Sequence, residues 1–206
     1  MTGPANTAPR WSRRQAVGSL VGLAGAAAGL ATAEAQVKEI EGFRFDNTLR
    51  LGGADLVLNG VGVRRRFFVP VYVAALYVPA RSSDAETLLS QRGPRRMSMK
   101  FVREVEAELF MTSLDVGMRK HYTPEQLAGW KDQWQTLTRV ISTMVLARRA
   151  DNVTWDYTPD EGARVMQNSV ARVPSMRGED FYNAVLRVWL GPQPADADLK
   201  KGLLGT

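Results

Sequence analysis

Residues 56–79 read LVLNGVGVRRRFFVPVYVAALYVP, Leu56 to Pro79. The density of Val, Phe and Tyr argues for β-structure, and Asn59-Gly60 carries the chemistry of a two-residue hairpin turn. The expectation is therefore a turn at Asn59-Gly60 and two adjacent strands between Val61 and Val78. Pro70 has no N–H to give to a ladder, which places it at an edge or a bulge. Arg64, Arg65 and Arg66 stand directly against the apolar run. Neighbours on a strand face opposite ways, so Arg64 and Arg66 share a face if the strand is unbroken, and at least one of Arg65 and Arg66 stays in water.

Outward from this stretch the pattern alternates strands and helices. Val37 to Leu58 reads as short strands broken at Gly42 and at the turn Leu51-Gly52-Gly53-Ala54-Asp55. Ser83-Asp84-Ala85-Glu86 opens a short helix that ends near Gln91 and is stopped by Gly93-Pro94. Met97, Met99 and Phe101 alternate with Ser98 and Lys100 as in a half-buried strand. Leu109, Phe110, Ser113, Leu114, Gly117 and Met118 recur at helical spacing. Thr123-Pro124-Glu125-Gln126 then forms a capping box, and the stripe from Leu127 through Trp130, Trp134, Leu137 and Ile141 to Met144 predicts one helix of about five turns. Two strands follow near Val153–Tyr157 and Ala163–Met166, joined by a turn at Pro159–Gly162. A long helix begins at Gly178-Glu179-Asp180 and halts at Gly191-Pro192. This order predicts an α+β fold with a large antiparallel sheet covered on one face by helices.

The chain has 206 residues, 45% of them hydrophobic, with 18 Gly and 10 Pro, which suits one domain with a substantial core. It has no Cys, which excludes disulfides, thiolate metal sites and cysteine nucleophiles. His121 stands alone, which excludes a multi-histidine metal centre, so no metal and no cofactor is expected. The N-terminal stretch differs from the rest. Arg10, Arg13 and Arg14 precede an uncharged run from Gln15 to Ala33, and Ala33-Glu34-Ala35 follows as a small-residue cleavage signal. Residues 1–35 thus read as an export signal cut before Gln36, with one domain over 36–206 and a periplasmic or secreted destination. A buried core helix is the alternative, disfavoured by Gly18, Gly22, Gly25 and Gly29. Ser12-Arg13-Arg14-Gln15-Ala16-Val17 resembles the twin-arginine export motif, with Ala16 and Val17 where a large aromatic and a Leu are usual. The formal charge is +6, and without the basic leader it is only mildly positive. No Lys/Arg stripe is interleaved with aromatics, so nucleic acid is not an expected partner.

Three segments together resemble the chalcone isomerase superfamily, in particular its bacterial periplasmic branch. They are Asn59-Gly60-Val61-Gly62-Val63-Arg64 with Val71–Tyr77, then Phe181–Gly191, then Leu199-Lys200-Lys201-Gly202-Leu203-Leu204-Gly205. The resemblance implies an open-faced β-sandwich with a cleft between sheet and helices. In the plant enzymes of that family an Arg in the Gly-x-Arg segment steers a phenolate toward ring closure, helped by a Thr on the next strand, a Tyr and an Asn on a helix, and a later Ser or Thr. Arg64 matches that Arg and Tyr72 falls at the strand Thr. Nothing between Glu108 and Lys120 matches the Tyr and Asn, so no catalytic residue is assigned.

Relatives that lack the full activity bind fatty acids in the same cleft, with an Arg and a Tyr on neighbouring strands holding the carboxylate. By that resemblance Arg64 and Tyr72 are the candidate ligand-binding residues. A guanidinium fork and a phenol together satisfy both carboxylate oxygens. Burying an acyl tail adds about 0.8 kcal/mol per methylene. The expected partner is accordingly a small amphipathic ligand, a fatty acid or a phenolic. Three readings stay open: a non-catalytic exported binding protein, an isomerase (intramolecular lyase) acting on a chalcone-like or other unsaturated ketone, and a protein that meets a membrane or protein partner at its periphery. Arg64 also has a plain reading as a surface residue whose stem lies on Phe67 or Phe68. Tyr72 and Tyr77 have one as ordinary sheet residues. Trp130 and Trp134 read as core, His121 as a solvated loop residue, and Asp160 and Glu161 as turn residues.

Overall fold

The computed structural model describes residues 1–3 and 37–206. Residues 4–36, which hold nearly all of the expected export signal and its expected cleavage site, therefore lie outside the described residues. Along the chain come β1 (Val37–Ile40), β2 (Phe43–Asp46), β3 (Thr48–Leu51), β4 (Ala54–Arg66), β5 (Val69–Val78), α1 (Ala85–Ser90), β6 (Arg95–Phe101), β7 (Val105–Glu106) and α2 (Ala107–Arg119). The second part holds α3 (Pro124–Gly129), α4 (Lys131–Ser142), β8 (Leu146–Ala147), β9 (Asn152–Thr158), β10 (Gly162–Gln167), β11 (Val170–Met176), α5 (Glu179–Leu190) and α6 (Ala197–Leu204). Seven strands form one sheet in the order β11-β10-β9-β6-β5-β4-β3, every neighbouring pair antiparallel. The architecture is the expected α+β.

β5 shows why its sequence is almost continuously apolar. Tyr72, Ala74, Leu76 and Val78 join a core built with the helices, while Val73, Ala75 and Tyr77 join a second core with Phe45 of β2. Both faces are covered here, so alternation in position produces no alternation in polarity.

Asn59-Gly60 is not a turn: both residues lie inside the 13-residue β4. The pairing with β5 slips between Leu58 and Gly60, which marks a bulge at Asn59. The bulge reverses the parity of the strand. Leu56 and Leu58 before it and Val61 and Val63 after it all contribute to the same core against β2, which leaves Gly60, Gly62 and Arg64 on the helix side. Helix α6 lies directly on those glycines. A Cβ on Gly62 would stand 2.6 Å from the Leu199 carbonyl oxygen, and one on Gly202 would stand 2.6 Å from that of Val61. Asn59 ties the contact down, donating from Nδ2 to Leu203 O at 2.7 Å and to Ser82 O at 3.0 Å.

The actual hairpin turn is Phe67-Phe68, between the paired residues Arg66 and Val69. Pro70 stands next to a second slip, between Arg64 and Arg65, as the bulge alternative required. The five-turn helix is two helices, broken at Trp130 (φ −108°, ψ 18°), with the Thr123 capping box at its start as read. β11 and α6 were not anticipated as elements.

A charged group is also part of the helix-side core. Arg95 shares the parity of Met97, Met99 and Phe101 and is fully buried. It donates to Asn183 Oδ1 at 2.7 Å and to Glu179 Oε1 at 2.5 Å, with its guanidinium 5.6 and 5.1 Å from the ring centroids of Tyr157 and Tyr182.

Candidate ligand cleft

A cavity of about 620 Å³ opens between the helix side of β4–β5 and helices α2 and α5. Tyr72, Phe110, Leu114, Val188 and Trp189 line its apolar part. The volume falls in the range typical of small-molecule sites. Arg64 and Tyr72 are directly opposite each other across the β4–β5 ladder, and both line this cavity. The two residues singled out from the sequence are thus neighbours on one wall.

Tyr72 is buried, and its hydroxyl oxygen accepts a hydrogen bond from Trp189 Nε1 at 2.9 Å. With Trp189 as the donor, the Tyr72 proton is free to be given to a third group. Burial pushes the Tyr72 phenol above its ordinary pKa, a shift that the Trp189 hydrogen bond and the Arg64 charge only partly oppose. The group is therefore a neutral donor at physiological pH.

Arg64 is half-buried. Its Nη1 donates to Asp196 Oδ2 at 3.2 Å and to Arg65 O at 2.8 Å. Among the described hydrogen bonds Nε and Nη2 are not used, which leaves one edge of the fork available. Asp196 is the N-cap of α6: Oδ1 accepts from Asp198 N at 2.9 Å and Leu199 N at 3.0 Å, while Oδ2 also accepts from Arg65 N at 3.0 Å. Burial alone would raise the Asp196 carboxyl, but the hydrogen bonds from Leu199 N, Arg65 N and Arg64 outweigh it and hold the pKa low. The glycine contact of α6 with β4 thus delivers a fixed anion to Arg64, setting the guanidinium at the cleft wall.

Arg65 points elsewhere and pairs with Glu41 at 2.9 Å. Arg66 lies in water yet lines the same cavity as Arg64, together with the exposed Arg103 and Lys120. Sequence reasoning did not find Trp189, Asp196, Arg103 or Lys120 as parts of one site. Only Trp189 stood in a quoted motif, where its indole N–H was a signal that a polar partner was needed. Helix α2, which covers the cleft, contains neither Tyr nor Asn; Thr112 and Ser113 line the cavity, and the Ser113 hydroxyl is turned back to Leu109 O at 2.8 Å. Tyr77 is structural, donating to Asp46 O at 3.0 Å on the opposite face. His121 is not a solvated loop residue: its Nε2 is buried without a hydrogen-bond partner, and burial lowers its pKa.

A family model described as chalcone isomerase-like matches residues 37–205. No curated protein matches the chain. Among solved structures, a fatty-acid binding protein from Arabidopsis thaliana has a similar fold, with a TM-score of 0.62 at 14% identity over 83% of this chain and 96% of that one.

Proposed function

The chain belongs to the chalcone isomerase-like family, and on that premise we propose that its cleft binds a small amphipathic anion, a fatty acid, without chemical turnover. The observation that carries this reading is the opposed pair Arg64 and Tyr72 on the wall of a cavity whose apolar part is lined by Phe110, Leu114, Val188 and Trp189. The free edge of the guanidinium and the free phenol proton together offer the donors a carboxylate needs. The fold shared with the Arabidopsis thaliana fatty-acid binding protein supports the same choice. Ring closure of a chalcone needs an oriented substrate as well as a charge, and α2 offers no Tyr or Asn for that. The test is calorimetric titration of delipidated protein with saturated fatty acids of increasing chain length. The expected result is one equivalent bound, with affinity rising with length until the cavity is filled. Heat that does not depend on length, or no binding to a folded protein, rejects the reading.

The same proposal includes export to the periplasm with the signal removed before Gln36, supported by the basic leader, the uncharged run and Ala33-Glu34-Ala35. N-terminal sequencing of protein recovered outside the cytoplasm should then begin Gln36-Val37-Lys38.

A further inference from the structure

Four two-residue hairpin loops occur among the described residues: Glu41-Gly42, Gly52-Gly53, Phe67-Phe68 and Asn168-Ser169. All eight residues have positive φ, between 48° and 78°. That backbone suits Gly, Asn and Asp and is sterically disfavoured for bulky side chains. Three of the loops use small or polar residues. The fourth places two phenylalanines there, and packing offers no compensation: Phe67 is 84% and Phe68 96% exposed. The requirements of the turn oppose these residues, so their use must be sought outside the fold.

Their surroundings indicate what they meet. Phe67 belongs to the rim of the cleft, where Val69, Leu109 and Val116 are also exposed. Arg66, Arg103 and Lys120 stand on the same rim, and among the described residues none has an ion-pair partner. Glu104 is the acidic residue among them. Arg66 lies 5.7 Å from the Phe67 ring centroid, so cation and aromatic project together. Among the described residues no helix is long and apolar enough to cross a membrane. We propose that this rim docks on an anionic phospholipid bilayer, with Phe67 and Phe68 entering the interface and Arg66, Arg103 and Lys120 facing the headgroups. Aromatic side chains that enter at headgroup depth beside cations suit a fluid anionic surface. A rigid protein partner would have to match two unsupported rings at a narrow hairpin tip. An apolar rim also lets an acyl chain pass between bilayer and cleft without crossing water. The docking goes beyond the ligand reading and does not depend on it.

The absence of native cysteine allows a single nitroxide to be placed at will on the full chain. Phe68→Cys carries the label at the hairpin tip, and Ala80→Cys carries it on exposed backbone just beyond the other end of β5. With vesicles of phosphatidylcholine and phosphatidylglycerol, the label at position 68 should move into the acyl region while that at position 80 stays in water. Vesicles of phosphatidylcholine alone should draw the position-68 label in far less. This readout reports hairpin position even if the leader also holds protein on the membrane. A position-68 label that remains as water-accessible as the position-80 label overturns the proposal. The double variant Phe67→Asn/Phe68→Gly has the preferred turn residues, so it should melt no earlier than the parent and bind the mixed vesicles roughly tenfold or more weakly. Undiminished vesicle binding by that variant, or loss of a dimer with no change on vesicles, would assign the surface to something other than lipid and end the proposal.

Discussion

Asp196 joins Arg64 to the start of α6, one carboxylate oxygen serving the helix and the other the guanidinium. The anion that positions Arg64 is therefore also a competitor for it. Asp196→Asn keeps an acceptor for the cap, since Asn caps as well as Asp. It removes a charge-assisted bond, which should cost about 1.5 to 3 kcal/mol of stability. Fatty-acid affinity should hold or rise because the fork is released; a fall measured by calorimetry would mean that Arg64 needs Asp196 to stay at the cleft.

The same carboxyl sets an acid dependence. Its folded pKa is depressed, so its contribution to stability is present above the unfolded value of about 3.9 and is lost as pH falls through the lower folded value. Denaturant melts of parent and Asp196→Asn should therefore converge below that window and separate above it. Curves that stay parallel throughout would show that the ion pair is not what the variant removes.

Arg64→Ala should weaken fatty-acid binding by roughly 2 to 5 kcal/mol if the site is desolvated. Tyr72→Phe should weaken it by about 0.5 to 1.5 kcal/mol. It should also lower stability, because Trp189 Nε1 loses its acceptor in a buried place. Each variant therefore needs a thermal melt beside its titration. Arg65→Ala is the appropriate control, since Arg65 pairs with Glu41, whereas Arg66 shares the cavity rim. Equal affinity losses at Arg64 and Arg65 would indicate a diffuse positive mouth.

Glu179→Gln and Arg95→Met should differ in severity although both break the Arg95–Glu179 ion pair. Removing the Glu179 charge leaves a fully buried guanidinium without its anion and should cost about 3 to 5 kcal/mol. Removing Arg95 leaves Glu179 still paired with Arg92 at 2.8 Å, which should be milder. Equal losses in denaturant unfolding would show that Tyr157 and Tyr182 carry the charge by themselves.

All five tyrosines have pKa values raised by burial, that of Tyr77 to about 12. A raised folded pKa gives stability that is complete below the unfolded value of about 10 and is lost as pH climbs through the folded one. Phenolate absorbance in the native protein should therefore lag the ordinary titration and then rise together with unfolding. A normal titration near pH 10 with native circular dichroism retained would contradict the burial described for these rings.

The order of strands and helices was legible because most elements carry their own caps and breakers, as at Asp84, Thr123 and Gly178. What failed were signals with two physical meanings. Asn59-Gly60 has the composition of a tight turn, yet Gly60 is small so that α6 can approach, and the true turn at Phe67-Phe68 has no turn chemistry at all. Pro174 and the polar residues of β11 concealed a strand. Arg95, beside Arg92 and Arg96, looks like surface charge; its burial depends on Glu179 and Asn183, which lie 84 and 88 positions away. Arg64 and Tyr72 came together because local pairing across one hairpin joins them. Trp189 and Asp196 remained hidden because their contacts span 117 and 132 positions.

The glycine floor on which α6 rests has a kinetic side. Asn59 and Leu203 are 144 positions apart, so their bond closes a loop that encloses most of the described domain. Closing such a loop costs entropy that its long-range contacts must first offset, while the β4–β5 hairpin closes locally. Refolding should then proceed through a species with sheet formed and cleft still open, its phenol and indole not yet joined. Stopped-flow tryptophan fluorescence in parent and Trp189→Phe protein would resolve that delay. The site for a ligand would be the last part of the molecule to exist, and a ligand present during folding would act on the final step alone.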